Sequence, residues 1–142
     1  MQKELFRNDS YLKTCSAKII DILDEGLVLD NNVFYPEGGG QPGDVGHIKH
    51  DNKTFEIINT KYIDKKIVLC LESTSGFNLN QEMTCQINWT RRFSIMQVHT
   101  CLHLLCSIIK APVTGGQISE GKGRLDFDLE SKPDKEFVIE NI

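Results

Sequence analysis

The first 89 residues alternate between short runs rich in Ile, Val, Phe and Tyr and clusters of turn-forming residues such as Asp24-Glu25-Gly26 and Asp51-Asn52. Runs and turns in this alternation are typical of strands joined by tight connections. Several short strands at this spacing predict a small antiparallel β-barrel over residues 1–89. The predicted strands are Thr14–Leu23, Gly26–Asp30, Val33–Tyr35, Gly46–His50, Thr54–Thr60, Lys66–Leu71 and Met83–Trp89.

The hydrophobic period changes after residue 89. Apolar side chains then recur at helical spacing, at Ile95, Val98, Leu102, Leu105 and Ile109. Residues 90–110 contain no Gly or Pro, and Pro112 lies where a helix must stop. The pattern predicts one long helix over Thr90–Lys110, with Thr90 as its N-cap.

A shorter mixed region follows the predicted helix. Glycines predict loops at Thr114–Gln117 and at Gly121–Gly123, and the alternation of Arg124–Leu129 predicts a half-buried strand. Residues 131–134 then have the composition of a helix start. We therefore expect residues 90–142 to be an incomplete α+β domain, because the sequence ends where a helix should begin.

Composition narrows the class of protein. The chain is 39% hydrophobic and 25% charged, which is the range of globular domains. No apolar run is long enough for a transmembrane helix and the N-terminus is too polar for a signal peptide, so we expect a cytoplasmic protein that does not enter a membrane. Five scattered cysteines favour reduced thiols over a disulfide framework.

Charge restricts the ways in which nucleic acid could bind. Residues 126–142 hold six acids and two lysines, which accounts for the whole net charge of −4. The rest of the chain is neutral overall, so no global positive field attracts RNA. Any RNA contact must use a local patch. Arg91 and Arg92 are candidates for phosphate contact at the helix start, and an ordinary solvated helix end is the alternative.

His99 and His103 are spaced by one helical turn, so their imidazoles project from one helix face. Two such rings can bind one metal ion, and Zn²⁺ suits them best. The alternative is a pair of histidines packed along a mostly buried helix. Thr100 stands where the HExxH metalloproteases have their general base, so that class is excluded. Cys106 is roughly 10 Å along the helix from His99, too far to share an ion.

A glycine-rich segment, Phe34–Asp44, contains Gly38, Gly39 and Gly40 followed by Gln41. Three consecutive glycines cost backbone entropy, and they permit positive φ and close approach to another surface. A wide turn between strands is the alternative. A phosphate-binding P-loop is unlikely, because neither Lys-Ser/Thr nor a helix follows.

Three stretches together resemble the editing domain of alanyl-tRNA synthetases and, more closely, the free-standing trans-editing proteins that share it: FYPEGGGQPGDVG, NWTRRFSIMQVHTCLHLL and GKGRLDFDL. They occur in the family's order, and the resemblance covers roughly residues 15–142. It implies a glycine-rich β-barrel over 1–89. It also implies, over 90–142, the first part of the α+β domain common to threonyl- and alanyl-tRNA synthetases, with HxxxH on its long helix.

The resemblance also implies an activity, namely hydrolysis of serine or glycine wrongly esterified to tRNA(Ala), with the tRNA acceptor end as partner. His99 and His103 match the first two zinc ligands, and Gly38, Gly39, Gly40 and Gln41 match the segment that reaches the editing pocket. Either Gln41 or Gln117 could supply a hydrogen bond to the serine hydroxyl, and Thr100 is a weaker choice. Arg91 and Arg92 remain the candidates for tRNA phosphates.

One departure from the family is serious. The other zinc ligands belong to a Cys-x-x-x-His motif, and no such motif follows His103 in this sequence. We therefore expect an incomplete zinc site in a chain that is truncated, is a gene fragment or is a degenerate relative of the family. Two alternatives stay open: a non-catalytic remnant that binds tRNA or a protein partner, and an inactive fragment that forms a homodimer through exposed apolar surface.

Overall fold

The computed structural model describes residues 2–142, which form two compact units. The first unit comprises the chain up to Gly38 together with Gly43–Trp89. The second comprises Gly39–Pro42 and Thr90–Ile142. The tip of the glycine-rich segment therefore belongs to the second unit, although both of its flanks belong to the first.

An antiparallel sheet of seven strands makes up most of the first unit. Its strands are β2 (Thr14–Leu23), β3 (Gly26–Leu29), β5 (Gly46–His50), β6 (Lys53–Ile57), β7 (Asn59–Ile63), β8 (Lys66–Cys70) and β9 (Glu82–Ile87), in the spatial order β6-β5-β9-β2-β3-β8-β7. A short strand β1 (Lys3–Glu4) pairs in parallel with β4 (Asn31–Asn32), and a single helical turn α1 (Leu5–Asn8) follows β1.

The sheet is curled, and its topology gives the reason. Strands β6 and β7 occupy opposite edges, yet only Ile58 separates them in the sequence. The two edges must therefore approach each other at this residue, which bends the sheet into a half-barrel. The core lies on the concave side. Side chains alternate between the two faces of each strand, so every second residue points into it. In β9, for example, Met83, Cys85 and Ile87 are buried while the residues between them are exposed.

The prediction of an α+β chain with a small antiparallel barrel is thus confirmed in its coarse form, a curled antiparallel sheet together with helices. Strands β2 and β5 have the predicted bounds. The predicted strand Thr54–Thr60 is instead divided at Ile58 into β6 and β7, because the chain there crosses between the sheet edges.

The predicted strand at Val33–Tyr35 is wrong. Val33 and Phe34 are fully buried, but side chains take the backbone N–H groups that a ladder would use. The amide of Phe34 donates to Asn32 Oδ1 at 2.9 Å and that of Tyr35 donates to Asp44 Oδ2 at 2.7 Å. Local bonds of this kind compete with strand pairing, so hydrophobicity here marks burial alone.

The second unit contains α2 (Trp89–Ile108) from its second residue onward, together with β10 (Val113–Ser119), β11 (Lys122–Phe127) and α3 (Lys135–Asn141). The long helix begins one residue earlier than predicted, so Asn88, and not Thr90, occupies the position before it. Asn is among the favoured residues there. The loop predicted at Thr114–Gln117 is wrong, because these residues lie inside β10 and pair with β11. The second predicted loop contracts to a tight turn at Glu120-Gly121.

The β10–β11 hairpin packs closely on α2. A Cβ on Gly123 would lie 2.8 Å from Val98 Cγ1 and 2.9 Å from Leu102 Cδ2, so a larger residue there would force these side chains to shift. At the hairpin turn, the amide of Gly121 donates to Ser94 Oγ at 3.0 Å. These contacts fix the hairpin along the same helix that carries both histidines. No helix within residues 2–142 has the length and apolar character needed to cross a membrane.

Candidate functional site

The site is built around the two histidines of α2. Their spacing of four residues places the rings one above the other, with centroids 4.9 Å apart and planes inclined by 13°. His99 is partly buried, whereas His103 is exposed. Burial lowers the pKa of the His99 imidazole, and the neighbouring His103 lowers it further.

Gln41 fixes the orientation of the His99 ring. Its side chain is 7% exposed, and its Oε1 lies 2.8 Å from His99 Nδ1. An amide oxygen can only accept, so Nδ1 carries the proton and Nε2 keeps a free lone pair. In proteins, a hydrogen-bond acceptor on one ring nitrogen commonly orients the other nitrogen to bind a metal.

Gly40 positions Gln41 in turn. Gly39 and Gly40 have φ angles of +59° and +81°, which residues with a side chain rarely adopt. Gly40 also touches β10: its carbonyl accepts from the amide of Ile118 at 2.8 Å, and a Cβ would lie 2.4 Å from the Gly116 carbonyl oxygen. The glycines therefore bring the backbone, and the Gln41 side chain with it, against the strand that faces the histidines.

A cavity of about 260 Å³ adjoins the histidine pair. Aliphatic side chains form most of its wall, contributed by Leu102, Val113, Ile118 and Leu125. The rest of the lining comes from Gly39, Gly116, Cys106 and the polar side chains of His99, His103 and Gln117. A few polar groups in a largely apolar cavity are typical of small-ligand sites.

The structure brings together only some of the residues singled out from the sequence. Gly39, Gln117 and both histidines line the cavity, and Gln41 joins them through its hydrogen bond. Thr100 is exposed and does not line the cavity. Gly38 belongs to the first unit, and a Cβ there would meet no atom within 4 Å.

The two arginines at the start of α2 also lie outside the cavity. Arg91 pairs with Glu120 of the hairpin turn, with Nε and Oε1 3.0 Å apart. Arg92 is buried, at 3% exposure. Their assignment to tRNA phosphates stays a prediction.

The chemistry of the donor set fits half of a tetrahedral zinc site. His99 and His103 offer two imidazole nitrogens from one helix face. Within residues 2–142, no three His, Cys, Asp or Glu side chains come together as a metal site. A bound zinc ion would thus be held by the two histidines, with its remaining ligands coming from elsewhere.

Sequence reasoning missed the role of β10. Gly116 accepts the close approach of Gly40, while Val113 and Ile118 from the same strand wall the cavity. The paired glycines at 115–116 were the available signal. The sequence pattern predicts a loop for them, whereas in the structure they lie in β10 and leave room for neighbouring groups.

Comparison with known proteins gives a consistent result for most of the chain. A family model described as tRNA synthetases class II (A) matches residues 7–91. An alanine–tRNA ligase of Sulfurisphaera tokodaii is 33% identical over 143 residues, covering 96% of this chain and 16% of the ligase.

Two further alanine–tRNA ligases show similar figures. That of Saccharolobus islandicus (strain L.S.2.15) is 33% identical over 134 residues, covering 88% of this chain and 15% of the ligase. That of Pyrobaculum aerophilum is 32% identical over 145 residues, covering 97% and 16%. The chain therefore spans about one sixth of the length of these relatives.

Proposed function

The chain belongs to the tRNA synthetases class II (A) family, and on that premise we propose that its second unit hydrolyses the ester bond of serine or glycine wrongly attached to tRNA(Ala). The observation that carries this proposal is the arrangement of Gln41, His99 and His103 beside a cavity of about 260 Å³. That cavity is large enough for an aminoacyl group, and polar groups lie at one side of it.

An aminoacyl ester is already activated, so its hydrolysis depends mainly on placing the carbonyl and the attacking water together. Gln41 acts as a positioning residue, because it holds the His99 ring in one orientation. The aliphatic wall excludes bulk water from one side of the ester. Zinc, when bound, would supply Lewis-acid polarisation and orient water.

Gln117 is the best candidate for recognition of the serine hydroxyl. Its amide lines the cavity and can both donate and accept a hydrogen bond. Alanine offers no partner to that amide, so correctly charged tRNA is bound less well. Such a second site provides the discrimination between serine and alanine that the aminoacylation site of a synthetase cannot achieve, because the two amino acids are nearly the same size. Thr100 is less suited to this role, since it lies off the cavity.

The test is deacylation of tRNA(Ala) charged with serine, glycine or alanine, using the 142-residue chain with and without added zinc. We expect release of serine above the spontaneous rate and no release of alanine. Gln117→Ala should slow serine release about tenfold, the value of one hydrogen bond near 1.4 kcal/mol. Thr100→Ala is the matched control and should leave the rate unchanged. Serine release equal to that in buffer, with zinc present, refutes hydrolysis by this chain.

A second candidate is a non-catalytic tRNA-binding module. It is favoured by the lack of a third metal ligand near the histidines among residues 2–142. Lys122 and Arg124 are exposed on β11 and form a local basic stretch suited to phosphates. This candidate predicts binding of uncharged tRNA(Ala) without hydrolysis. Lys122→Ala should then reduce the salt dependence of binding by about one phosphate contact.

The apolar surface of the second unit supports a further partner, a second copy of the chain. Leu104, Phe137, Ile139 and Ile142 are each at least half exposed. A homodimer that covered these side chains would remove apolar surface from water. Sedimentation equilibrium tests this: a monomer at all concentrations contradicts the dimer, and Phe137→Ser should weaken it.

A further inference from the structure

Two cysteines of the first unit face each other across neighbouring strands. Cys15 lies in β2 and Cys85 in β9, and the antiparallel register places them directly opposite. Two residues along the same ladder, the amide of Ile87 donates to the Lys13 carbonyl at 3.0 Å. Hydrogen-bonded pairs recur at every second position, so the Cys15–Cys85 pair is also of the hydrogen-bonded kind.

The Cα atoms at this position are separated by a distance that disulfides can span. Cα atoms in a hydrogen-bonded pair are about 5.5 Å apart, and disulfides join Cα atoms roughly 4.4–6.8 Å apart. Both side chains point to the concave side of the sheet: Cys85 is fully buried in the core, and Cys15 is partly buried against it. The two sulfurs therefore lie on the same face of the sheet. Opposed Cβ atoms are about 4.5–5.5 Å apart, whereas disulfides join Cβ atoms about 3.5–4.5 Å apart, so β2 and β9 must draw slightly closer for the bond to form.

We propose that Cys15 and Cys85 form an oxidisable dithiol, a site at which a small-molecule disulfide converts the two thiols into a disulfide bond between β2 and β9. The site lies in the first unit and is independent of the proposed hydrolytic function.

The surroundings assign different roles to the two sulfurs. A hydrogen bond from the Cys85 thiol lowers the pKa of Cys15. The same bond, together with burial, raises the pKa of Cys85. Cys15 is also the more exposed of the two. Cys15 is thus the first nucleophile, because the thiolate is the reactive form and must be reached by the oxidant.

The reaction has two exchange steps. The Cys15 thiolate attacks one sulfur of oxidised glutathione, forming a mixed disulfide and releasing one glutathione thiolate. The Cys85 sulfur attacks Cys15 Sγ while its proton passes to the leaving glutathione sulfur, which breaks the mixed disulfide and releases the second glutathione as a thiol. The protein is oxidised by two electrons, and one molecule of oxidised glutathione becomes two of glutathione.

The other three cysteines provide matched controls. Cys70 is buried in β8, but its ladder partners are Gly26 and Asn59. Cys101 and Cys106 lie five residues apart on α2, on different faces of that helix. Neither arrangement places a second sulfur directly opposite the first.

The experiment treats the full chain with oxidised glutathione under native conditions, followed by acid quench, alkylation in denaturant and peptide mapping. We expect the free thiols to fall from five to three, with Cys15 and Cys85 in one cross-linked peptide pair. Cys70→Ser should form the same link. Cys85→Ala, which keeps an apolar side chain in the core, should instead retain one glutathione on Cys15.

Three results would overturn the proposal: five free thiols after treatment, glutathione remaining on Cys15 of the wild-type chain, or a link between other cysteines. If Cys85→Ala does not fold, a variant with Cys70, Cys101 and Cys106 replaced by Ser carries the test. It retains only the proposed pair, and it should lose both thiols without gaining glutathione. Retention of both thiols, or one bound glutathione, overturns the proposal equally.

Discussion

The three consecutive glycines allow the reasoning about the site to be tested one physical effect at a time. An added Cβ on Gly38 meets open space at an ordinary φ. On Gly39 it also meets open space, but φ is +59°. On Gly40 the φ is +81° and the Cβ would lie 2.4 Å from the Gly116 carbonyl oxygen. Alanine at the three positions therefore adds no strain, backbone strain alone, and strain with a steric clash.

The expected free energies of unfolding follow this order. Gly38→Ala should be neutral or stabilise by up to about 1 kcal/mol, since it reduces the entropy of the unfolded chain. Gly39→Ala should cost about 1 kcal/mol after the same entropic gain offsets the left-handed backbone. Gly40→Ala adds an overpacking cost of about 1–3 kcal/mol, because the clash is with backbone that cannot rotate away. It should also displace Gln41 from His99.

The assay is urea unfolding, monitored through the NMR signals of the His99 and His103 rings, which report on the second unit. In the native state, the same spectra show whether the His99 ring keeps its hydrogen bond. Equal unfolding midpoints for Gly39→Ala and Gly40→Ala would refute the reasoning, because the Gly116 contact would then carry no energy. An unchanged His99 signal in folded Gly40→Ala would refute the positioning of Gln41.

Three further outcomes are expected. Gln41→Ala removes the acceptor of the His99 Nδ1 proton and should weaken zinc binding about 10- to 100-fold in a chelator competition, whereas unchanged affinity contradicts its orienting role. Lys66 holds the pKa of Asp21 below its usual 3.8, so the stability from this pair is present above pH 3.8 and is lost as pH falls through the folded-state value. The thermal midpoints of wild type and Asp21→Asn should therefore differ at pH 7 and converge in acid. A difference that stays constant with pH contradicts this. Asp134→Ala removes the N-cap of α3 and should cost about 1 kcal/mol, seen as faster amide exchange confined to Lys135–Asn141.

The sequence was informative wherever one period dominated. Side chains alternate along the first half of β2, and helical spacing persists through α2, so these elements were predicted closely. Val33 and Phe34 misled because burial and strand pairing are separate properties. The amides of Phe34 and Tyr35 donate to the side chains of Asn32 and Asp44, two and nine residues away, and hydrophobicity does not encode either bond.

The sequence predicted which residue types form the site better than it predicted the contacts between them. Spacing alone placed His99 and His103 on one helix face. The hydrogen bond between Gln41 and His99 joins residues 58 apart in sequence, and no local pattern specifies it. The strand containing Gly116 was missed for a related reason: glycine disfavours strands on average, and only the tertiary contact with Gly40 explains it there.

The single residue between β6 and β7 also has a consequence for how the first unit can fail. Ile58 is 48% exposed, and it alone links the two outermost strands of the sheet. A protease cut at this point would free both borders of the sheet in one event, and each would present unpaired amides and carbonyls to other chains. Cleavage at Ile58 should therefore increase the tendency of this protein to aggregate.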